Sequence, residues 1–190
     1  KGNDNRPLIY GMPTWADFFS PRQLLAIGTL SETRQELAKE IEIQFDSERI
    51  SALETYLGFM LDKMVIYNNR SCRFDQGRGI RSVFDRHDFA FVSSHAEFDA
   101  SANLLPWAID QISDAYKELA NLAAPMQKSF LQYWQVSPID NLRIFQGTAN
   151  SVNEIADGSI YNITVDPPYY DNVQYAELSD FFYVWLKRSV

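Results

Sequence analysis

The sequence predicts an α/β fold with an appended helical segment, and three observations carry that prediction. Up to about residue 134, long stretches place apolar residues at three- and four-residue steps, the helical period. After about residue 140 the pattern changes to short strand-type runs, Leu142–Gln146 and Tyr161–Val165. Each run leads through a turn into a helical stretch, and strand, helix, strand, helix is the order of a parallel α/β unit. The expected division is a mainly helical segment over 1–140, with a basic loop at 68–95, and a partial Rossmann-like sheet over 141–190.

Residues 1–13 carry Gly, Asn and Pro and read as a lead-in. Ser20 suits an N-cap, Pro21 a first-turn proline, and Gln23 completes a capping box, so a helix is expected from Pro21 to about Ile41. Trp15, Phe18 and Phe19 stand just before it, where they either line a pocket or staple the helix start. A second helix is expected from near Ser47, with Ile50, Leu53, Leu57, Met60, Leu61 and Met64 as core. Residues 68–95 lack a helical period and are rich in Arg, Asp and Gly, which predicts an extended loop with one or two short strands. The stripe Ile109, Ile112, Tyr116, Leu119 predicts a helix over 103–134, broken near Pro125.

In the last segment, Gly147 ends the first strand and Val152–Ala156 forms a brief helical piece. Asp157-Gly158-Ser159 is a turn signal. After the second strand, a helix over about Tyr175–Arg188 presents Leu178, Phe181, Phe182, Trp185 and Leu186 on one face. Two strands do not make a stable doubly wound sheet, so the missing strands are expected from the remainder of a larger parent chain or from a partner.

The apolar share of 46% and charged share of 22% are those of a soluble globular protein. No apolar run reaches the length of a membrane span, and no secretory leader pattern is visible, so no membrane partner is expected. A single cysteine, Cys72, excludes an internal disulfide and fits a cytoplasmic location. One Cys and two His leave too few ligands for a zinc site within the chain, and no metal is expected. A net charge of −8 argues on average against gripping phosphates. Between Arg70 and Arg86, however, five arginines face only Asp75 and Asp85. Arg73, Arg78 and Arg81 are the candidate DNA contacts; pairing with the nearby aspartates is the competing explanation.

The stretch Thr164-Val-Asp-Pro-Pro-Tyr-Tyr170 carries the chemistry. In open α/β sheets ligands bind beyond the carboxyl ends of the strands, where Asp166 would sit. Pro167 and Pro168 fix φ and push the residues before them out of the helical region. The result is a stiff turn offering a carboxylate, backbone carbonyls and the ring of Tyr169. These acceptors and this stacking plate suit a planar ring with an exocyclic amino group. A base presented to them must first leave its duplex.

Asp-Pro-Pro-Tyr is the signature of amino-methylating DNA methyltransferases that use S-adenosylmethionine. By chance, Asp-Pro-Pro-aromatic occurs in roughly one chain in a few hundred of this length. Asp166 to Arg188, DPPYYDNVQYAELSDFFYVWLKR, resembles a bacterial and archaeal family of putative adenine-specific DNA methylases, whose full-length members carry a zinc ribbon. Thr14 to Ala26, TWADFFSPRQLLA, is similar to the Thr-Pro motif that starts a helix near the methionine end of the cofactor. The resemblance implies methylation of the exocyclic amino group of adenine in DNA. Asp166 and the Pro167 carbonyl would accept from the amine, Pro168 would fix the turn, and Tyr169 would stack on the flipped base. Phe19, Ser20 and Pro21 would hold the cofactor's methionine end, with serine where the family commonly has threonine. Gly147, in Gly147-Thr-Ala149, would lie near the cofactor's adenine, although Thr148 replaces an acid; an ordinary strand-to-helix turn is the alternative.

The family's glycine-rich cofactor loop has one candidate here, Phe74-Asp-Gln-Gly-Arg-Gly79, with an extra residue before the first glycine and no strand leading into it. It reads better as part of the basic loop. The loop and the zinc ribbon are expected upstream of the matched part, in the larger parent chain or a partner. Other targets for the same chemistry are cytosine, RNA and protein glutamine. A non-catalytic interaction module with a degenerate cofactor site is the alternative of a different class. His95-Ala-Glu97 matches half of a zinc-deaminase pattern whose cysteine half is absent, and His87 and His95 read as structural.

Overall fold

The computed structural model describes residues 5–84, 88–124, 142–170 and 173–187. Helix α1 (Arg6–Ile9) and a 3₁₀ turn (Trp15–Phe18) lead into α2 (Pro21–Gln44) and α3 (Ser47–Tyr67). Strands β1 (Arg73–Asp75) and β2 (Gly79–Arg81) follow, then a π-type turn (Ala100–Leu104), α4 (Leu105–Ala123) and α5 (Tyr175–Leu186). The chain divides into two units, residues 1–113 with 169–190, and residues 114–168.

The first unit is built around aromatic rings. Phe18, Phe19, Ile27, Leu61, Val65, Val83, Phe89 and Phe181 form its main core, all 4% exposed or less. Phe181 sits at the centre. Its ring centroid lies 5.4 Å from Phe84, 5.7 Å from Phe89, 5.8 Å from Phe18 and 5.9 Å from Phe19. Helices α2 and α3 pack on each other, and α5 packs on α3. At this crossing Leu186 lies beside Gly58, where a Cβ would make an ordinary contact at 3.4 Å. A second cluster joins Met60 and Met64 of α3 to Leu104 and Ala108. The Lys63 ammonium lies 5.1 Å from the Trp107 ring centre beside it.

The starts of α2 and α3 are capped by their own sequence. Ser20 and Gln23 form the expected capping box at α2, and Asp46 accepts from the Arg49 N–H at α3. Strands β1 and β2 are an antiparallel hairpin pairing Arg73 with Arg81, Phe74 with Ile80 and Asp75 with Gly79. Gly79 has φ +72°, a conformation that disfavours any residue with a Cβ. The Gly77-Arg-Gly79 stretch therefore turns between antiparallel strands, rather than from a strand into a helix.

In the second unit the described residues from 142 onward are turns and extended chain. Leu142–Gln146 and Tyr161–Val165 carry no strand pairing, and Val152–Ala156 forms a single turn, closed by Ile155 N–H donating to Val152 O at 3.2 Å. A strand exists only through its neighbours, and these runs have none among the described residues. Asp157-Gly158-Ser159 does turn, with Gly158 at φ +70°. The expected break at Pro125 and helix end at Arg188 lie outside the described residues, as do Asp85, Arg86 and His87. No helix among the described residues is long and apolar enough to cross a membrane.

Candidate functional site

The chain before α2 is locked by two successive boxes. The Asp17 carboxylate accepts from the Thr14 N–H at 2.8 Å and from its hydroxyl at 2.6 Å. Three residues on, the Ser20 N–H donates to Gln23 Oε1 at 2.8 Å, and the Gln23 N–H donates to Ser20 Oγ at 3.3 Å. The Arg70 N–H donates to Phe18 O at 2.6 Å and its guanidinium to Asp17 O at 2.9 Å, tying this entry to the end of α3.

Glu97, distant in sequence, closes on the same helix start. The Ser20 hydroxyl donates to its Oε1 at 2.6 Å, and Arg22 Nη2 donates to its Oε2 at 2.6 Å. The Ser20 hydroxyl and the Arg22 guanidinium hold the Glu97 carboxyl below its usual range. Beneath them Gln23 and Asn68 are each 1% exposed. Asn68 Oδ1 accepts from Gln23 Nε2 at 3.2 Å and from the Phe98 N–H at 3.1 Å. Arg22, Gln23, Asn68, Glu97, Phe98 and Asp99 border a cavity of about 460 Å³ beside the helix start. Asp99 Oδ1 caps the following turn by accepting from the Ser101 and Ala102 N–H groups. The arrangement is a fixed set of donors at a helix N-terminus, already closed on one carboxylate.

The three predicted cofactor residues of the first unit sit together at this entry, with different exposure. Pro21 is exposed in the first turn and Ser20 is half-buried. Phe19 is 4% exposed, with its ring stacked on Phe181 and edge-on to Trp185 at 5.3 Å. Its side chain is core, and its N–H donates to Ala16 O at 3.1 Å. The hydrophobic-staple alternative describes Phe18 and Phe19 better than a pocket lining. Gly147, in the second unit, is exposed, and a Cβ there would meet nothing within 4 Å. The chain turns beside it through a bridge between Thr148 and Ser151.

Asp166, Pro167 and Pro168 are exposed at the end of the second unit. Tyr169 is 54% exposed, with its ring available for stacking. Its N–H donates to Tyr175 Oη at 3.2 Å, fastening the end of the motif to the first residue of α5.

Arg73 and Arg81 are brought together as a directly opposed pair on the hairpin, and Arg78 is exposed in its turn. Glu97, Arg22 and Asn68 were not singled out as functional from sequence. The available signal for Asn68 was an Asn-Asn pair after a long apolar helix; Glu97 gave only its half-match to a different motif. Among the described residues no group of three or more His, Cys, Asp or Glu side chains is placed to hold a metal ion. No family model matches this chain, and neither a curated protein nor a solved structure matches it.

Proposed function

We propose that this chain takes part in S-adenosylmethionine-dependent methylation of the exocyclic amino group of adenine in DNA. The observation that carries the proposal is the exposed Asp166-Pro-Pro-Tyr169 motif, its last residue hydrogen-bonded to Tyr175 at the start of α5. Asp166 accepts one amine hydrogen and the Pro167 carbonyl the other, which localises the nitrogen lone pair. Pro168 holds the turn, and Tyr169 stacks on the flipped base. The nitrogen attacks directly, so no covalent nucleophile is required.

The donors at the α2 start fit the methionine end of the cofactor. Ser20 and Arg22 already bind a carboxylate, that of Glu97, which the cofactor's own carboxylate would displace, and the adjoining cavity of about 460 Å³ has room for an amino-acid head. When bound, the cofactor supplies an electrophilic methyl group. The Gly77-Arg-Gly79 turn belongs to an antiparallel hairpin and does not supply the glycine-rich loop for the cofactor's adenosine end. Gly147 remains a proposed neighbour of that end. The glycine-rich loop itself is assigned to the remainder of a larger parent chain or to a partner.

The same absence favours a second proposal, a non-catalytic module whose cofactor site is incomplete. Incubating the chain with methyl-labelled S-adenosylmethionine and DNA separates the two. Label in adenine, lost with Asp166→Ala, is the expected result. Label in cytosine instead would redirect the substrate. A folded chain that labels no DNA would support the non-catalytic proposal.

A further inference from the structure

A second cavity of the first unit lies away from the Ser20 helix start. It measures about 380 Å³ and is bordered by the 3₁₀ turn, by α2 and by the last turn of α5. It shares no bordering residue with the cavity beside Ser20. Leu24, Gly28, Ser31 and Glu32 reach it from one face of α2, because residues three and four apart stack on the same side of a helix. The indole rings of Trp15 and Trp185 complete the wall, and the aromatic core holds both. Trp15 lies 5.5 Å from Phe18 and 5.9 Å from Phe181, and Trp185 lies edge-on to Phe19 at 5.3 Å. Gly28 leaves the space open, since a Cβ there would meet nothing within 4 Å. Ser31 is 7% exposed and brings a hydroxyl to the wall. The Glu32 carboxylate is exposed, and no cation among the described residues pairs with it.

Indole is the side-chain ring that attracts a cation best, and two of them share this cavity with one unpaired carboxylate. We infer that the cavity binds a small organic cation of the alkylated-ammonium class, its alkyl groups against Trp15 and Trp185 and its charge answered by Glu32. An anion is disfavoured by Glu32 and by the net charge of −8. An uncharged apolar ligand would use the rings and gain nothing from the carboxylate. The volume is at the small end for ligand sites, which suits a cation of few atoms. The core holds the rings before any ligand arrives, so little ordering is lost on binding. The inference does not depend on the proposed methylation.

Calorimetric titration of choline tests the inference, beside its uncharged isostere in which a tert-butyl group replaces the trimethylammonium. Choline should bind the wild-type chain with a Kd of about 1 mM, the affinity expected of so few atoms. The isostere should bind about 5- to 30-fold more weakly, having the same shape and no charge. Gly28→Leu fills the cavity and should abolish saturable binding. Its melting temperature should not fall, because a Cβ there is unobstructed and leucine is the better helix former. Glu32→Gln changes an exposed position and should weaken choline binding about 2- to 5-fold. The inference is overturned if the folded wild-type chain shows no saturable choline binding or binds the isostere equally well. Unchanged affinity in Gly28→Leu or in Glu32→Gln would overturn it too. Choline binding as described with no affinity for S-adenosylmethionine would remove the methylation proposal alone.

Discussion

Replacing Phe181 by alanine removes the ring on which the first unit is organised. Phe181 is 0% exposed, and rings of Trp15, Phe18, Phe19, Phe84, Phe89 and Phe182 lie within 5.9 Å of its centre. Truncating a buried Phe to Ala costs about 3–5 kcal/mol through lost transfer energy and the cavity left behind. Aromatic pairs add about 0.5–1.5 kcal/mol each beyond buried area, and several are lost at once, so the expected cost lies in the upper half of that range. Six rings from three parts of the chain cannot all move into the hole, which limits relaxation. Phe181→Leu retains most of the volume and loses mainly the ring contacts, for about 1.5–2.5 kcal/mol. Urea unfolding followed by tryptophan fluorescence is the assay, because Trp15 contacts Phe181 directly and Trp185 contacts Phe19. With a slope of about 2 kcal/mol/M, the alanine midpoint should fall by about 2 M. A loss below about 2 kcal/mol at unchanged slope would refute Phe181 as the organising ring.

Three further outcomes follow from the same contacts. Ser20→Ala removes an N-cap and the hydroxyl held by Glu97, and should cost about 1–2 kcal/mol in the same unfolding assay; equal stability would refute the cap. Gly79→Ala places a Cβ at φ +72° and should lower the melting temperature by about 2–4 °C; no change would show that the turn relaxes freely. Burial pushes the Asp62 carboxyl on α3 up to about 7, against the opposing attraction of Arg34 on α2. Because the folded state holds this proton more tightly than the unfolded chain, stability falls as pH rises from about 4 to about 7. Asp62→Asn mimics the protonated acid, so its advantage over the wild type should be absent near pH 4 and reach about 1–2 kcal/mol by pH 8, after allowance for solvent screening. Melting curves across that range would refute this assignment if the gap were constant with pH.

The parts of the molecule legible in the sequence are those fixed by local chemistry. Ser20, Pro21 and Gln23 announce the start of α2 because a capping box is made by residues three apart. The turn at Gly158 follows from a glycine that admits positive φ, whereas residues 68–95 are read only as a loop with one or two short strands and their pairing as a hairpin is seen in the structure. What the sequence hides depends on partners far away along the chain. Glu97 meets Ser20 only because the loop before α4 folds back over α2, and no spacing rule encodes that. Buried Asn68 is explained by its acceptance from Gln23 and Phe98, which are known only once the loop is placed. Phe19 is read as a ligand contact in sequence and serves as core, since adjacent aromatics do not reveal which way each ring points. Leu142–Gln146 and Tyr161–Val165 have strand composition without strand pairing among the described residues, because composition supplies a propensity and only a neighbouring strand supplies the ladder.

Calorimetric titration of S-adenosylmethionine into the wild-type chain, Ser20→Ala and Asp166→Ala bears most directly on the proposed function. The wild-type chain should bind, Ser20→Ala should bind about 10- to 150-fold more weakly through loss of one hydrogen bond to a charged group, and Asp166→Ala should bind as the wild type does. A folded wild-type chain that takes up no cofactor would contradict the assignment of the Ser20 helix start as the methionine-end site.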